Sequence, residues 1–310
     1  MLPYIVRRVL WLPFLLAIMI FITFWLGFYG PGSPEVVLLG QRYNPETAAL
    51  IRQQWGLDDP FWLQYVRYVR NYATLNFGES LTKYQGQPVA RLLARRLPVT
   101  VQLNAAAIAL GVPLGIALGM LAAFYHGSWL DRGIIFFAVL FRAVPSLVAG
   151  PILLFIFAKQ LKLVPVGGWD GLFSASAILP VSILASGIVA GFARQTRANV
   201  LDVLNSDYVR TARAKGLSEA AVLFRHVLQN AFIPLITILG FVLGGIVEGT
   251  LITETIFGIP GMGQLAFEAI SARDYPIIIA VTVLAAVVFA LANLWADLFY
   301  GVIDPRIRNT

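Results

Sequence analysis

The chain of 310 residues contains no cysteine, and only 13% of its residues are charged. The lack of cysteine excludes disulfides, thiolate metal sites and cysteine nucleophiles. The sequence also lacks a G-x-x-x-x-G-K-[ST] phosphate loop, an H-E-x-x-H zinc motif and a G-x-S-x-G nucleophile elbow. We therefore expect no catalytic residue, no cofactor-binding residue and no metal ligand in this chain.

The low content of charged residues is matched by a high content of apolar residues. They make up 58% of the chain, and the mean hydropathy is +0.77, whereas soluble proteins carry about 25% charged residues. A helix that spans a bilayer needs about 20 apolar residues. Six stretches reach or approach this length, so we expect an all-α integral membrane protein with six transmembrane helices: Val9–Phe28, Val99–Tyr125, Gly133–Ala158, Ser174–Phe192, Ala231–Ile252 and Pro276–Tyr300.

The polar segment Gly30–Leu97 separates the first two apolar stretches. Its prolines exclude one continuous helix. Asn44 followed by Pro45 predicts a capped helix start, Pro60 opens a second helix, and a third amphipathic piece, Gln87–Leu97, ends ahead of Pro98. Basic residues in the short loops favour both termini inside. We expect an N-terminal transmembrane helix at 1–29, an extracytoplasmic insert at 30–97 and a five-helix core at 98–310.

A basic amphipathic loop, Asp207–Pro234, lies between the fourth and fifth stretches. Its arginines cannot lie in hydrocarbon, and basic loops of this length stay cytoplasmic. Gly216 divides the loop, and Ser218 with Glu219 is typical of a helix N-terminus. The pattern predicts a short helix, a glycine hinge and a second helix. Two functions fit: docking of a soluble partner, or a solvated linker that only fixes the topology.

Three ionisable residues are candidates for a translocation pathway: Arg142, Glu248 and Glu254. Arg142 lies about ten residues into the third stretch, near mid-membrane by its roughly 15 Å of rise, where an arginine is either functional or a packing clamp. Glu248 follows a glycine-rich run that serves either helix packing or a pore lining. Glu254 begins a Gly/Pro-broken segment through Gly263, which we expect to re-enter at the outer mouth.

The string YVRTARAKGLSE at Tyr208–Glu219 resembles the cytoplasmic EAA loop of ABC-importer permeases, in the form found in the dipeptide, oligopeptide and nickel branch. In the general pattern of that loop, Glu-Ala-Ala is followed after three residues by Gly. Only Ala212 and Gly216 match it. The strings GLDDPFWLQY, NFGESL and FRAVPS, and the closing segment Asp304–Arg308, also resemble this family, so the resemblance covers nearly the whole chain.

This resemblance implies a MetI-like type I importer permease fold with a coupling loop at 194–230. It implies as partners a second permease subunit, two ATP-binding subunits, an extracytoplasmic solute-binding protein and the lipid bilayer of a bacterial or archaeal cytoplasmic (inner) membrane. The ATPase-coupling residues would be Tyr208, Arg210, Thr211, Ala212, Arg213, Gly216 and Glu219. Of these, Tyr208, Thr211 and Ala212 would face the ATPase.

Other functions remain open from the sequence. A stand-alone ion-coupled transporter would need coupling carboxylates in mid-span and inverted repeats, and the sequence shows few of the former and none of the latter. An intramembrane enzyme is disfavoured by the missing catalytic motifs. Nickel or glutathione is an alternative cargo to peptides. The net charge of +7 reflects cytoplasmic loops, so we expect no nucleic-acid partner.

Overall fold

The computed structural model describes residues 2–29, 34–39, 44–247 and 250–303. In these ranges the chain is helical, and the extended pairing is limited to one isolated bridge between Glu79 and Pro88. The all-α fold class expected from the sequence is therefore confirmed. The turn at Gly30, Glu248 and the closing segment Asp304–Arg308 lie outside the described residues.

The first helix, α1 (Leu2–Tyr29), is followed by three helices of the insert, α2 (Pro34–Leu39), α3 (Pro45–Trp55) and α4 (Phe61–Ala73). Asn44 caps α3 as predicted, because its side chain accepts a hydrogen bond from the backbone N–H of Glu46. Helix α4 packs its aromatic side chains against α1, and the Tyr65 hydroxyl donates to the Ala17 carbonyl at 2.8 Å.

Helix α5 (Val89–Phe124) runs without a break through Pro98. The expected end of a separate helix ahead of Pro98 is therefore wrong. A proline removes one backbone hydrogen bond, but packing holds the helix on both sides of it: Leu92 and Leu93 are buried in one apolar cluster, and Leu103 in another. The boundary drawn between 97 and 98 falls inside this helix, so the division into three parts stays a prediction.

The third apolar stretch is bent. Helix α6 (Trp129–Ala143) is followed by α7 (Ser146–Leu153) and a π-helical turn (Leu154–Gln160), and the two halves meet at 94°. Pro145 lies at the break, where it disfavours helical backbone in the residue before it. The stretch Gly133–Ala158, expected to form one transmembrane helix, is therefore divided into two helical halves.

Helix α8 (Ala175–Leu204) packs along α5 and forms the largest helix pair of the fold. Two glycines of α5 allow the close approach. A Cβ at Gly115 would lie 2.7 Å from Phe192 Cβ, and a Cβ at Gly119 would lie 2.5 Å from the Ala193 carbonyl oxygen. Because α8 continues to Leu204, Arg194 and Arg197 belong to a helix that extends past the predicted end at Phe192.

The second half begins with α9 (Asp207–Ala214), α10 (Glu219–Val222), a π-helical turn (Leu223–Val227), α11 (Leu228–Ala231) and α12 (Ile233–Gly244). It ends with α13 (Leu251–Phe257), α14 (Met262–Ala272) and α15 (Tyr275–Ile303). The predicted fifth span, Ala231–Ile252, is therefore too long. Its helix ends at Gly244, where a Cβ would lie 2.7 Å from the Phe289 ring, so this glycine serves packing.

By length and composition, three described helices could cross a bilayer unbroken: Val89–Phe124, Ala175–Leu204 and Tyr275–Trp295. Two bent pairs, Trp129–Ala143 with Ser146–Gln160 and Leu223–Ala231 with Ile233–Gly244, would raise the number to five. The apolar part of α1, Pro13–Leu26, is shorter. This arrangement agrees with a multi-pass membrane protein, and the count of six spans stays a prediction.

Candidate functional site

Helix α9 is amphipathic and lies on an apolar base. Val209 is fully buried and Ala212 is 5% exposed, and both pack in a cluster with Val200, Val222 and Val227. This cluster joins the C-terminal end of α8 to the segment that leads into α12. The helix is therefore fixed to the two spanning segments on either side of it.

The outward face of this loop differs from the expected one. Tyr208, at 44% exposed, and Thr211 lie on it, but Ala212 points into the base. The expectation that Ala212 faces a partner is wrong, because the stripe of small and apolar side chains covers the protein's own core. Leu217 and Phe224 are exposed apolar residues of the same loop, and Phe224 is 67% exposed.

The charged residues of the loop partly pair with one another. The Arg213 guanidinium donates two hydrogen bonds to the Glu219 carboxylate, at 2.8 and 3.1 Å, and this pair bridges the hinge. Arg210 lies 3.6 Å from Asp207 in an exposed pair. The bidentate pair with Glu219 makes Arg213 part of the loop's own structure.

Gly216 adopts φ +77°, and nothing lies within 4 Å of the position where a Cβ would stand. Its role is therefore conformational, since left-handed backbone angles cost glycine little and β-branched residues much. After the turn, Ser218 Oγ accepts from the Ala221 N–H at 3.3 Å and caps α10. The predicted sequence of helix, glycine hinge and helix is confirmed.

Two polar contacts tie the neighbouring helices together on this side. Asp131, at the start of α6, is buried and accepts hydrogen bonds from Arg197 of α8, at 2.5 and 2.8 Å. Asn199, also on α8, donates to the Ala231 carbonyl at 3.0 Å. These hydrogen bonds tie α8 to the start of α6 and to α11, the segment that leads into α12.

Arg142 lies in the last turn of α6, next to the 94° bend, and its side chain is exposed on this chain. Within the described residues it forms no ion pair. Because the segment turns here, the depth inferred from a straight helix no longer applies. The role of Arg142 in a pathway stays a prediction, as does that of Glu248, which lies outside the described residues.

Glu254 lies in α13 and is fully buried. Its carboxyl group accepts hydrogen bonds from the Thr100 hydroxyl at 2.8 Å and from the Gln264 N–H at 2.9 Å. The Thr100 oxygen in turn accepts from the Met262 N–H at 2.7 Å. We call this arrangement the Thr100–Glu254 clamp; it fixes the α13–α14 elbow to α5. The predicted Gly/Pro-broken segment is present, and a pathway role for Glu254 stays a prediction.

A second buried carboxylate, Asp274, holds the insert. It lies between α14 and α15 and accepts hydrogen bonds from Ser80 Oγ, from the backbone N–H groups of Leu81 and Thr82, and from Thr82 Oγ1. We call this arrangement the Asp274 latch. No signal in the sequence indicates this role of Asp274, because the partners lie almost 200 positions away.

The same loop of the insert carries a second set of polar contacts. The Tyr84 hydroxyl donates to Glu268 and accepts from Arg96, and Lys83 Nζ lies 3.0 Å from Glu268 Oε1. Burial alone would raise the pKa of Glu268, but the hydrogen bonds from Tyr84 and Lys83 outweigh it and leave the pKa below its ordinary value of 4.5. Burial, followed by the hydrogen bond to Glu268, raises the pKa of Tyr84.

The predicted site residues thus fall into separate places. The seven loop residues lie together on one side, although Ala212 faces inward. Arg142 and Glu254 are not brought together, since one lies at the bend of α6 and the other in the Thr100–Glu254 clamp. No group of three or more His, Cys, Asp or Glu residues that could hold a metal ion is found among the described residues.

Comparison with known proteins matches both parts of the chain to family models. Residues 115–309 match the binding-protein-dependent transport system inner membrane component, and residues 1–104 match the corresponding N-terminal model. Residues 105–114, which lie between the two matches, belong to α5.

Relatives of similar length were also found. A probable peptide ABC transporter permease of Sinorhizobium fredii is 39% identical over 311 residues, which cover 98% of this chain and 99% of that protein. The oligopeptide transport system permease AppB of Bacillus subtilis is 38% identical over 317 residues, which cover 99% of this chain and 100% of that protein.

Among solved structures, a chain of the MetNI methionine ABC transporter in an inward-facing conformation has a TM-score of 0.56 at 16% identity, and the match covers 71% of this chain and 100% of that one. A chain of an amino acid ABC transporter with histidines has a TM-score of 0.53 at 19% identity, with 68% and 93% covered. At these identities the similarity shows the fold alone.

Proposed function

The chain belongs to the inner-membrane components of binding-protein-dependent transport systems, and from this premise we propose that it imports peptides. It is a non-catalytic permease subunit of an ABC importer, and ATP is hydrolysed by separate subunits. The cargo is inferred from the peptide permeases that it resembles at 37–39% identity over nearly full length. Nickel or glutathione remains the second candidate cargo.

The partners follow from the same membership. Permeases of this family work with another permease, ATP-binding subunits and a solute-binding protein. We propose that this chain pairs with one different permease chain and two ATP-binding subunits, in the cytoplasmic membrane of a bacterium or archaeon. The insert, outside the membrane, receives the loaded solute-binding protein.

The position of α9 is the observation that supports a role in coupling to ATP hydrolysis. The buried side of this helix, Val209 and Ala212, is fixed to the C-terminal end of α8, and its outer side carries Tyr208, Thr211 and, beyond Gly216, exposed Leu217. Exposed apolar groups beside charged ones are typical of an interface. We propose that this face docks on an ATP-binding subunit and moves α8 and α12 as one lever.

The experiment compares two glycine variants in the complete transporter reconstituted in vesicles. Gly216→Val forces a β-branched residue into left-handed backbone and misdirects α10. Gly127→Val is the matched control, because Gly127 also has a positive φ (+79°) and free space around it but lies in the α5–α6 turn. We expect Gly216→Val alone to reduce co-purification of the ATP-binding subunits or the uptake per ATP hydrolysed. If both variants showed the same association and the same uptake per ATP hydrolysed, Gly216 would not act as a hinge for coupling.

A second variant tests the docking face directly. Tyr208→Glu combined with Thr211→Glu places two carboxylates on the exposed side and leaves the buried base intact. We expect ATPase association to fall while membrane insertion stays normal. Wild-type association would mean that the loop is only a linker. Uptake of peptides, nickel and glutathione, measured side by side in wild-type vesicles, decides the cargo.

A further inference from the structure

A crevice of about 390 Å³ lies between the outer end of α5 and the α13–α14 elbow. Its walls are formed by Tyr84, Gln87, Leu92, Arg95, Arg96 and Pro260. Arg96 lies one helical turn before Thr100, so the crevice is directly outside the Thr100–Glu254 clamp that fixes the elbow to α5. It belongs neither to the coupling loop nor to the Asp274 latch.

Neither arginine of this crevice forms a direct ion pair among the described residues, and the electrostatic attraction of Arg96 to Glu268 acts through space. Arg96 is oriented by neutral groups, the Tyr84 hydroxyl at 3.1 Å and Gln264 Oε1 at 3.3 Å, and these contacts leave further guanidinium N–H groups free. Arg95 is exposed and makes no described hydrogen bond. Glu268, the acid nearest to this pair, already accepts from Tyr84 and pairs with Lys83.

Such an arrangement selects for an anion. Arg95 and Arg96 both line the crevice, and their positive charges favour an anion there. The guanidinium fork matches a carboxylate in two parallel hydrogen bonds. The recess is bounded by the apolar Leu92 and Pro260, which lower the local dielectric and strengthen the attraction. Its volume is within the range of small-molecule sites, about 300–1,000 Å³.

We propose that Arg95 and Arg96 bind a carboxylate of the transported solute, such as the C-terminus of a short peptide, as it enters the outer mouth. This inference rests on the proposed peptide transport. The solute is favoured over an acidic side chain of the binding protein because the guanidinium groups line a recess at the elbow. Tyr84 and Gln264 hold the Arg96 guanidinium in position, and the exposed side chain of Arg95 can move to contact the ligand.

The first experiment measures uptake in vesicles that contain the complete transporter and pre-loaded binding protein. The probes are trialanine and trialanine amide, which differ only in the terminal carboxylate. Arg95→Gln should lower uptake of trialanine about fivefold to tenfold, the loss of roughly one hydrogen bond of ordinary strength by an exposed side chain, and uptake of the amide less than about twofold. Arg91→Gln is the control, since Arg91 lies one turn away on α5, is exposed and does not line the crevice.

Equal uptake of trialanine by Arg95→Gln and wild type would overturn the proposal. An equal loss for both peptides, with weaker association of the binding protein, would also overturn it, because the carboxylate would then come from that protein.

The second experiment does not depend on transport. Phenylglyoxal labels arginines in the purified transporter, and mass spectrometry resolves each position. Trialanine, but not its amide, should protect Arg95 from labelling and leave Arg91 unprotected. Absence of this protection would overturn the carboxylate site. Protection in a wild-type transporter that shows no ATP-driven peptide uptake would support the site but contradict peptides as the cargo.

Discussion

Replacing Thr100 by valine should destabilise the α13–α14 elbow more than any other change of similar size in α5. The hydroxyl of Thr100 is fully buried and holds two groups at once: it donates to Glu254 at 2.8 Å and accepts from the Met262 N–H at 2.7 Å. Valine has the same shape, so Thr100→Val removes both hydrogen bonds without leaving a large cavity.

The magnitude follows from the two groups left without a partner. A hydrogen bond to a carboxylate contributes about 1.5–3 kcal/mol, and a buried N–H without a partner costs about 1–3 kcal/mol. We therefore expect Thr100→Val to lower the free energy of unfolding by about 3–5 kcal/mol. Thr100→Ser keeps the hydroxyl and loses one buried methyl group, which costs about 1 kcal/mol.

Thermal unfolding of the complex in detergent, followed by fluorescence, compares the two variants. At roughly 2 °C per kcal/mol, Thr100→Val should melt about 6–10 °C below wild type and Thr100→Ser about 2 °C below. If both variants melted at the same temperature, the hydroxyl would not hold the elbow. If serine alone were strongly destabilised, methyl packing would be the larger contribution, and the Thr100–Glu254 clamp would lose its energetic importance.

Three further predictions concern the outer side and the topology. Asp274→Ala should leave the N–H groups of Leu81 and Thr82 without acceptors and speed tryptic cleavage after Lys83 at least tenfold, whereas the exposed control Asp202→Ala should not; an unchanged rate would refute the latch. Because folding lowers the pKa of Glu268, its ionised carboxylate stabilises the insert at pH values above its ordinary pKa of about 4.5. This stabilisation is lost as the pH falls through the lower pKa of the folded state. Hydrogen exchange of residues 78–88, corrected for intrinsic rates, should therefore accelerate on acidification in wild type but not in Glu268→Gln, and equal pH dependence of the two would contradict this assignment. Single cysteines at Tyr68 and Arg213 should react with impermeant reagents from opposite sides of the membrane; reaction from one side would rule out the topology.

Features with local causes could be predicted from the sequence. Asn44 and Ser218 cap their helices because a side-chain oxygen reaches an N–H group two or three positions away. Gly216 marks its turn because it can adopt a positive φ. The six apolar stretches are visible from composition, although the bends at Pro145 and the end of α12 at Gly244 depend on neighbours that composition does not show.

Features decided by packing were missed. Pro98 is a local signal for a helix end, but Leu92, Leu93 and Leu103 are held in clusters on both sides of it, and α5 continues. Ala212 was assigned to the outer face because α9 has only eight residues, and such a short pattern does not reveal which stripe meets the core. Glu254 was noticed as an acid near a pathway, while its partner Thr100, 154 positions earlier, gave no signal.

The Asp274 latch also bears on how the chain is made. Its donors at Ser80, Leu81 and Thr82 are synthesised 194, 193 and 192 positions before the acceptor. At about 5–20 residues per second, this corresponds to a delay of roughly 10–40 s. During this interval residues 80–82 have been synthesised, but the carboxylate that binds them has not. A ribosome that stalls before position 274 therefore leaves a chain whose insert loop lacks its hydrogen-bond acceptor, and formation of the latch marks the chains that have been synthesised at least to that position.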